Sequence, residues 1–335
     1  MPAAIWRWLR YAPLTFWVIG GVGVAVGTVL RVLDGAGVEW WKAGPVRAGF
    51  EEFGQSVLWV TVPALLIAVL TAGSLGALAL YVENWWGLRT EWSDDRTLTV
   101  RRGLLTTRSV GIERDRLRGV MLREPLLLRA GGGATVQAVA GGLGDAEEAQ
   151  RRGSLLPPAP RATALRVAAG ALRRSDTSPF RQPSLTTHPR AALHQRVRRG
   201  LYLAVLPPVV TLLALGVLLT PVLLHCAWMY AAVATVTVWL LARDAHRSLG
   251  HGLSGPYLLT RSGTFSRDTL ALRRDTIAAW TLTTSPYGRR HGLVTLTAAV
   301  AAGRHGYRIP DLDAGEAPAF AAAASPGILD EWLVR

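Results

Sequence analysis

Lysine and cysteine are nearly missing from this chain of 335 residues. Lys42 is the only lysine and Cys226 the only cysteine. A lone cysteine excludes an internal disulfide, a thiolate metal site and a redox pair. Phosphate loops of the GxxxxGK[ST] and GxGxxG types are absent too. RAGGGATV (Arg129 to Val136) lacks the lysine and the helix start that a P-loop needs, so its three glycines read as a tight strand connection. No HExxH motif occurs, and His246 and His251 stand five apart, off a common helical face. The serines of GSLLPP and TRSGTF have no G-x-S-x-G elbow around them. From these absences the chain is expected to have no catalytic residues, no metal site and no cofactor.

Charge is also sparse. Only 18% of residues are charged and half are hydrophobic, yet the formal net charge is +14. The basic residues must therefore lie outside the apolar runs. Tyr11 to Leu30 holds 20 residues without a charge and Ser56 to Val82 holds 27. Each is long enough to cross a hydrocarbon core of ~30 Å at ~1.5 Å rise per residue. The first run is longer than the apolar part of a signal peptide and has no clear cleavage site after it. Leu201 to Ala242 is also uncharged, about twice the length of one span, and basic on both flanks. Two helices folded as a hairpin satisfy both facts, with a turn near Thr220–His225, where Pro221 interrupts the helix.

Between Glu83 and Gly200 stand 21 arginines against 11 acids. The positive-inside bias places this segment and both termini in the cytoplasm, with Trp40, Trp41, Trp85 and Trp86 at interfacial positions.

The segment after each hairpin is repeated. LTVRRGLLTTRSVGIERDRLRGV (Leu98 to Val120) aligns with LLTRSGTFSRDTLALRRDTIAAW (Leu258 to Trp280) at a constant offset of 160. Leu98, Arg101, Gly103, Arg114 and Asp115 fall on Leu258, Arg261, Gly263, Arg274 and Asp275. Further on, ATVQAVAGG (Ala134 to Gly142) aligns with TLTAAVAAG (Thr295 to Gly303) after a one-residue insertion. Short strands alternate apolar and polar residues, and Gly103 and Gly263 mark equivalent turns that call for φ > 0. An alanine-rich, helix-compatible stretch closes each copy: Arg161 to Arg174, and Ala314 to Val334. SDTSPFRQPSLTTHPR links copy one to the second hairpin.

Leu98 to Gly103, Ile112 to Leu117, Pro125 to Gly133 and LLPPAP (Leu155 to Pro160) carry a resemblance to a known family. With Leu258 to Gly263, Leu272 to Ile277 and Pro286 to Gly292 in copy two, the chain resembles the bacterial pleckstrin-homology-like (PH-like) membrane proteins of the YdbS/YdbT type. That resemblance implies a cytoplasmic PH-like fold, a seven-stranded bent barrel capped by a C-terminal helix, without catalytic residues. The expected fold class is an α+β membrane protein with two transmembrane helical hairpins, each followed by such a domain. The expected divisions are an N-terminal segment (1–10), hairpin one (11–82, spans 11–30 and 56–82), PH-like domain one (83–174), a linker (175–200), hairpin two (201–242) and PH-like domain two (243–335).

The function expected is a non-catalytic platform in the bacterial cytoplasmic membrane that binds protein or senses anionic lipid. Arg101, Arg102, Arg108, Arg114, Arg116 and Arg118, with Arg261 and Arg274 in copy two, are the candidate binding residues. An arginine near an anionic leaflet contributes ~1 kcal/mol. The partners expected are membrane lipids, a membrane or cytoplasmic protein, and a second copy in a homo-oligomer. Nucleic acid is not expected, because no stacking aromatics or reading helix accompany the basic residues. The alternative is a small transporter or an accessory subunit of a secretion or transport complex. Pro63, Pro207, Pro208 and the Gly23-x-x-x-Gly27 pair lie in the spans, but no Asp, Glu, Lys or Arg does.

Overall fold

The computed structural model describes residues 8–14, 58–173, 179–180, 185–218, 220–303 and 305–327. Of the expected first span, 11–30, only the end of the helical turn Leu9–Leu14 falls within them. The chain forms two compact units.

The first unit runs through Gly111 and adds residues 127–133 and 157–160. Its long helix α1 (Leu58–Trp85, 28 residues) leads into β1 (Arg89–Ser93), β2 (Thr97–Arg102) and β3 (Arg108–Glu113), one antiparallel sheet in that order. Period-two alternation shapes β2, where Leu98 and Val100 are buried between half-exposed threonines. Tyr81 packs among Trp8, Leu9, Leu78 and Trp85, and its hydroxyl donates to the Pro158 carbonyl at 3.0 Å.

The second unit holds the rest, including most of β4 to β6 of copy one. The strands are β4 (Leu117–Pro125), β5 (Gly133–Ala140), β6 (Ser154–Pro160), β7 (Gly250–Ser254), β8 (Tyr257–Ser262) and β9 (Ser266–Arg273). They form one sheet in the order β6-β5-β4-β9-β8-β7. Its centre is an antiparallel pair between the two copies, from Gly119 opposite Leu272 to Pro125 opposite Ser266. A Cβ at Gly119 would meet the Ala271 carbonyl, so the closeness of this pairing requires glycine.

β10 (Ala279–Thr283), β11 (Leu293–Ala299) and β12 (Gly306–Asp313) form a third sheet in that order. Leu258, Leu272, Leu296, Ile309 and Leu312 make its core with Ala317, Ala321 and Ala324 of the terminal helix (Glu316–Ala324). Burial of each leucine contributes roughly 1.5–3 kcal/mol. The three alanines recur at helical spacing and let the helix lie close on the sheet.

Each copy thus supplies six strands and a closing helix (Arg161–Ala171 in copy one). No closed seven-stranded barrel forms among the described residues, because β4 has both edges paired, to β5 and to β9. The one-residue insertion expected before Thr295 is not there. Val120 pairs with Ala138 and Trp280 with Ala298, so the offset of 160 persists through β5 and β11.

Two helices among the described residues are long and apolar enough to cross a membrane, Arg190–Leu218 and Val222–Arg247. The first starts at Arg190, so residues 190–200, read above as linker, are helical. Only 11% and 6% of their most apolar stretches are buried, unlike core helices of a soluble protein. Leu203, Val217 and Trp228 are mostly exposed. A π turn at Leu201–Val205 interrupts the first helix. Pro208 has no N–H to give the Ala204 carbonyl, and the Tyr230 hydroxyl of the second helix donates to it at 2.7 Å. The turn lies at Pro221, while His225 sits in the first turn of the second helix, with Nδ1 3.1 Å from the Pro221 carbonyl.

Candidate functional site

The repeated arginines have different surroundings in the two copies. In copy one Arg101, Arg108 and Arg114 are exposed. Arg102 is half-buried, its guanidinium 4.1 Å from the centre of the Trp85 ring in a cation–π contact. Burial first, and then the charge of Arg108, holds its pKa below the ordinary value. Arg116 is exposed and pairs with Glu113 at 2.9 Å, and Arg118 is half-buried at the start of β4. Arg101, Arg102 and Arg108 belong to the first unit and Arg114, Arg116 and Arg118 to the second.

Copy two uses its arginines internally. Arg261 donates from Nε to the Ser248 carbonyl at 3.1 Å, where the second long helix ends. Burial, and next the neighbouring Arg267, lower its pKa. Arg267 donates to Ser248 Oγ at 3.0 Å. A cation here satisfies helix-end acceptors and opposes the negative end of the helix dipole. Arg274 does the same for the terminal helix: Nε donates to the Ala324 carbonyl at 2.7 Å and a second nitrogen to Ala323. Gly103 and Gly263 adopt φ of +120° and +130°, and a Cβ on them would collide with the carbonyls of Thr106 and Ser266.

A buried polar cluster in the second unit escaped sequence reasoning. His188 Nδ1 lies 3.1 Å from the Asp311 carbonyl, and His251 Nδ1 lies 3.1 Å from His188 Nε2. A carbonyl only accepts, so His188 carries its proton on Nδ1 and its Nε2 accepts from His251. Phe320 covers His251 edge-on, 4.6 Å between ring centres. Arg196 pairs with the buried Asp311 carboxylate at 3.0 Å and ties the base of the first long helix to β12. Burial, then the charge tendency of His251, pushes His188 down to about 4. His251 is lowered by burial as well. The cluster is a neutral relay packed between elements. These residues are too far apart in sequence for spacing to connect them. The Thr186–His251 bridge, which lays the linker against β7, brings them together.

No group of three or more His, Cys, Asp or Glu residues that could hold a metal ion occurs among the described residues. In the first unit Arg101 and Arg108 are exposed on short strands, which suits recognition of anions or of a protein surface. The bacterial PH domain profile matches the chain twice, over residues 48–174 and 201–326. The chain therefore belongs to the bacterial PH domain family and carries two copies. No curated protein and no solved structure matches it.

Proposed function

We propose that the protein is a multi-pass, non-catalytic component of the bacterial cytoplasmic membrane whose first PH-like copy, within residues 83–174, binds anionic headgroups. Both termini and both PH-like domains face the cytoplasm, and the second hairpin covers residues 201–242. Copy two, within residues 243–335, anchors the helix ends. The observation that carries this reading is the contrast between equivalent residues. Arg101 and Arg114 are exposed, whereas Arg261 and Arg274, their counterparts, are turned inward onto carbonyls. Copy-one cations with no such internal duty remain available to an anionic leaflet, each contributing ~1 kcal/mol there.

The test uses the full-length protein in neutral detergent, mixed with anionic or zwitterionic phospholipid, with bound lipid measured after separation. Retention of anionic lipid should fall steeply with salt, because a Debye length of ~10 Å at 0.1 M screens surface charges. Arg101→Gln, Arg108→Gln and Arg114→Gln together should remove up to ~3 kcal/mol. Retention that ignores both salt and the three substitutions overturns the lipid reading and leaves protein recognition by this face.

A further inference from the structure

The three sheets divide the repeat unevenly. Within the chain, strands four to six of copy one join strands one to three of copy two, in the order β6-β5-β4-β9-β8-β7. The leftover strands form two separate sheets, β1-β2-β3 from copy one and β10-β11-β12 from copy two. These are the same two halves, strands one to three and strands four to six. The edge strands β3 and β10, each paired on one side only among the described residues, are the repeat equivalents of β9 and β4, which pair at the centre of the complete sheet.

Burial shows what pairing does to these strands. Leu122 in β4 is 1% exposed, and Leu282, its counterpart in unpaired β10, is 45% exposed. In β9 the run Thr269 to Leu272 is fully buried. In β3 the matching Ser109 to Ile112 has only Ile112 buried.

Sheet edges invite unwanted pairing unless charge, proline or a covering segment blocks them. Four of the six edges here carry such a guard. β1 holds Arg89 and Glu91, β6 holds Pro157, Pro158 and Pro160, β12 holds Pro310, and Thr186 bridges onto β7. β10 (AWTLT) has no charge and no proline, and β3 carries charge only at its two ends, Arg108 and Glu113, with a neutral middle from Ser109 to Ile112. β10 and the neutral middle of β3 are the stretches whose equivalents, in β4 and β9, pair with each other.

We propose that β3 of one chain pairs antiparallel with β10 of a second copy of this chain, from Trp280 onward in the register that β9 and β4 use within the chain; the ladder stops short of Ala279, which has a Cβ where Gly119 has none. Shifted by the repeat offset of 160, Met121 opposite Leu270 becomes Thr281 opposite Val110, and Val120 opposite Ala271 becomes Trp280 opposite Gly111. The product is a second six-stranded sheet, β1-β2-β3 of one chain continued by β10-β11-β12 of the next. The contact joins two different surfaces, so it propagates head to tail into a ring or an open row.

The experiment uses full-length protein in a Cys226→Ala background. Chains carrying only Val110→Cys are mixed with chains carrying only Thr281→Cys and treated with a short bismaleimide. A cross-linked dimer is expected from the mixture and none from either variant alone. A second arm places like charges across the junction in Val110→Lys/Thr281→Lys, which should lose the oligomer seen by light scattering. Val110→Lys/Thr281→Glu should restore it. Like-paired dimers, cross-links formed only to another protein in native membranes, or a purified chain that stays monomeric overturn the proposal.

Discussion

Arg123 of β4 and Asp268 of β9 stand opposite each other in the register, and their side chains close an ion pair of 3.3 Å across the junction of the two copies. Both are about four-fifths buried, so solvent screens the pair less than it would a surface bridge. Asp268 also accepts from the Ser266 hydroxyl, which holds the carboxylate in place. A double-mutant cycle with Arg123→Ala and Asp268→Ala should give a coupling of about 1 kcal/mol in thermal unfolding. Coupling near zero would mean the backbone ladder alone joins the copies.

The turn glycines allow a paired test. Gly103→Val and Gly263→Val each place a β-branched residue at positive φ against a carbonyl oxygen. The strain is ~1–3 kcal/mol apiece, before any steric clash. Lowered melting temperatures of similar size are expected for the two variants. A variant that melts like the parent would show that its turn can rearrange.

Stability should depend on pH through the histidine relay. His188 has a folded pKa of about 4, below its ordinary 6.5, so the unfolded chain takes up the proton first. Its contribution is therefore complete above pH ~6.5 and is lost as the pH falls toward 4. At ~1.4 kcal/mol per pKa unit, the full loss is about 3 kcal/mol. His188→Gln should flatten the fall in melting temperature over that window. An unchanged slope would move the acid sensitivity to other groups.

Topology is checked by labelling in intact cells. In the Cys226→Ala background, a cysteine at Gly37 should react with an impermeant reagent and one at Arg335 should not. Reaction at position 335 would rule out four spans with both ends inside.

The second apolar block was legible as a helical pair because Pro221 breaks a run too long for one span. The repeat was legible because strand spacing and turn glycines recur at one offset, and the two profile matches bear out a two-copy member of the family. The helical stretch Arg190–Gly200 was hidden by its composition. Its polar face looks like a linker, and helix formation rests on packing of Ala192 and Gln195, which are buried. The shared sheet was invisible for a deeper reason. Alternation marks β4 and β9 as strands with buried faces, but says nothing about which strand each takes as neighbour. His188, His251 and Asp311 were missed likewise, since the fold brings them together and local pattern does not.

The pairing of β4 with β9 also bears on how the protein is made. Gly119 leaves the ribosome long before its partner Leu272, and the two long apolar helices Arg190–Leu218 and Val222–Arg247 are synthesised in between. Through that interval β4 has an apolar edge without its neighbour, a state in which chains misassociate. Synthesis halted before β9 would leave β4 without its neighbour from copy two. The two copies are thus bound to a common fate during biogenesis, and the length of the delay sets the time for which a holding factor would be needed.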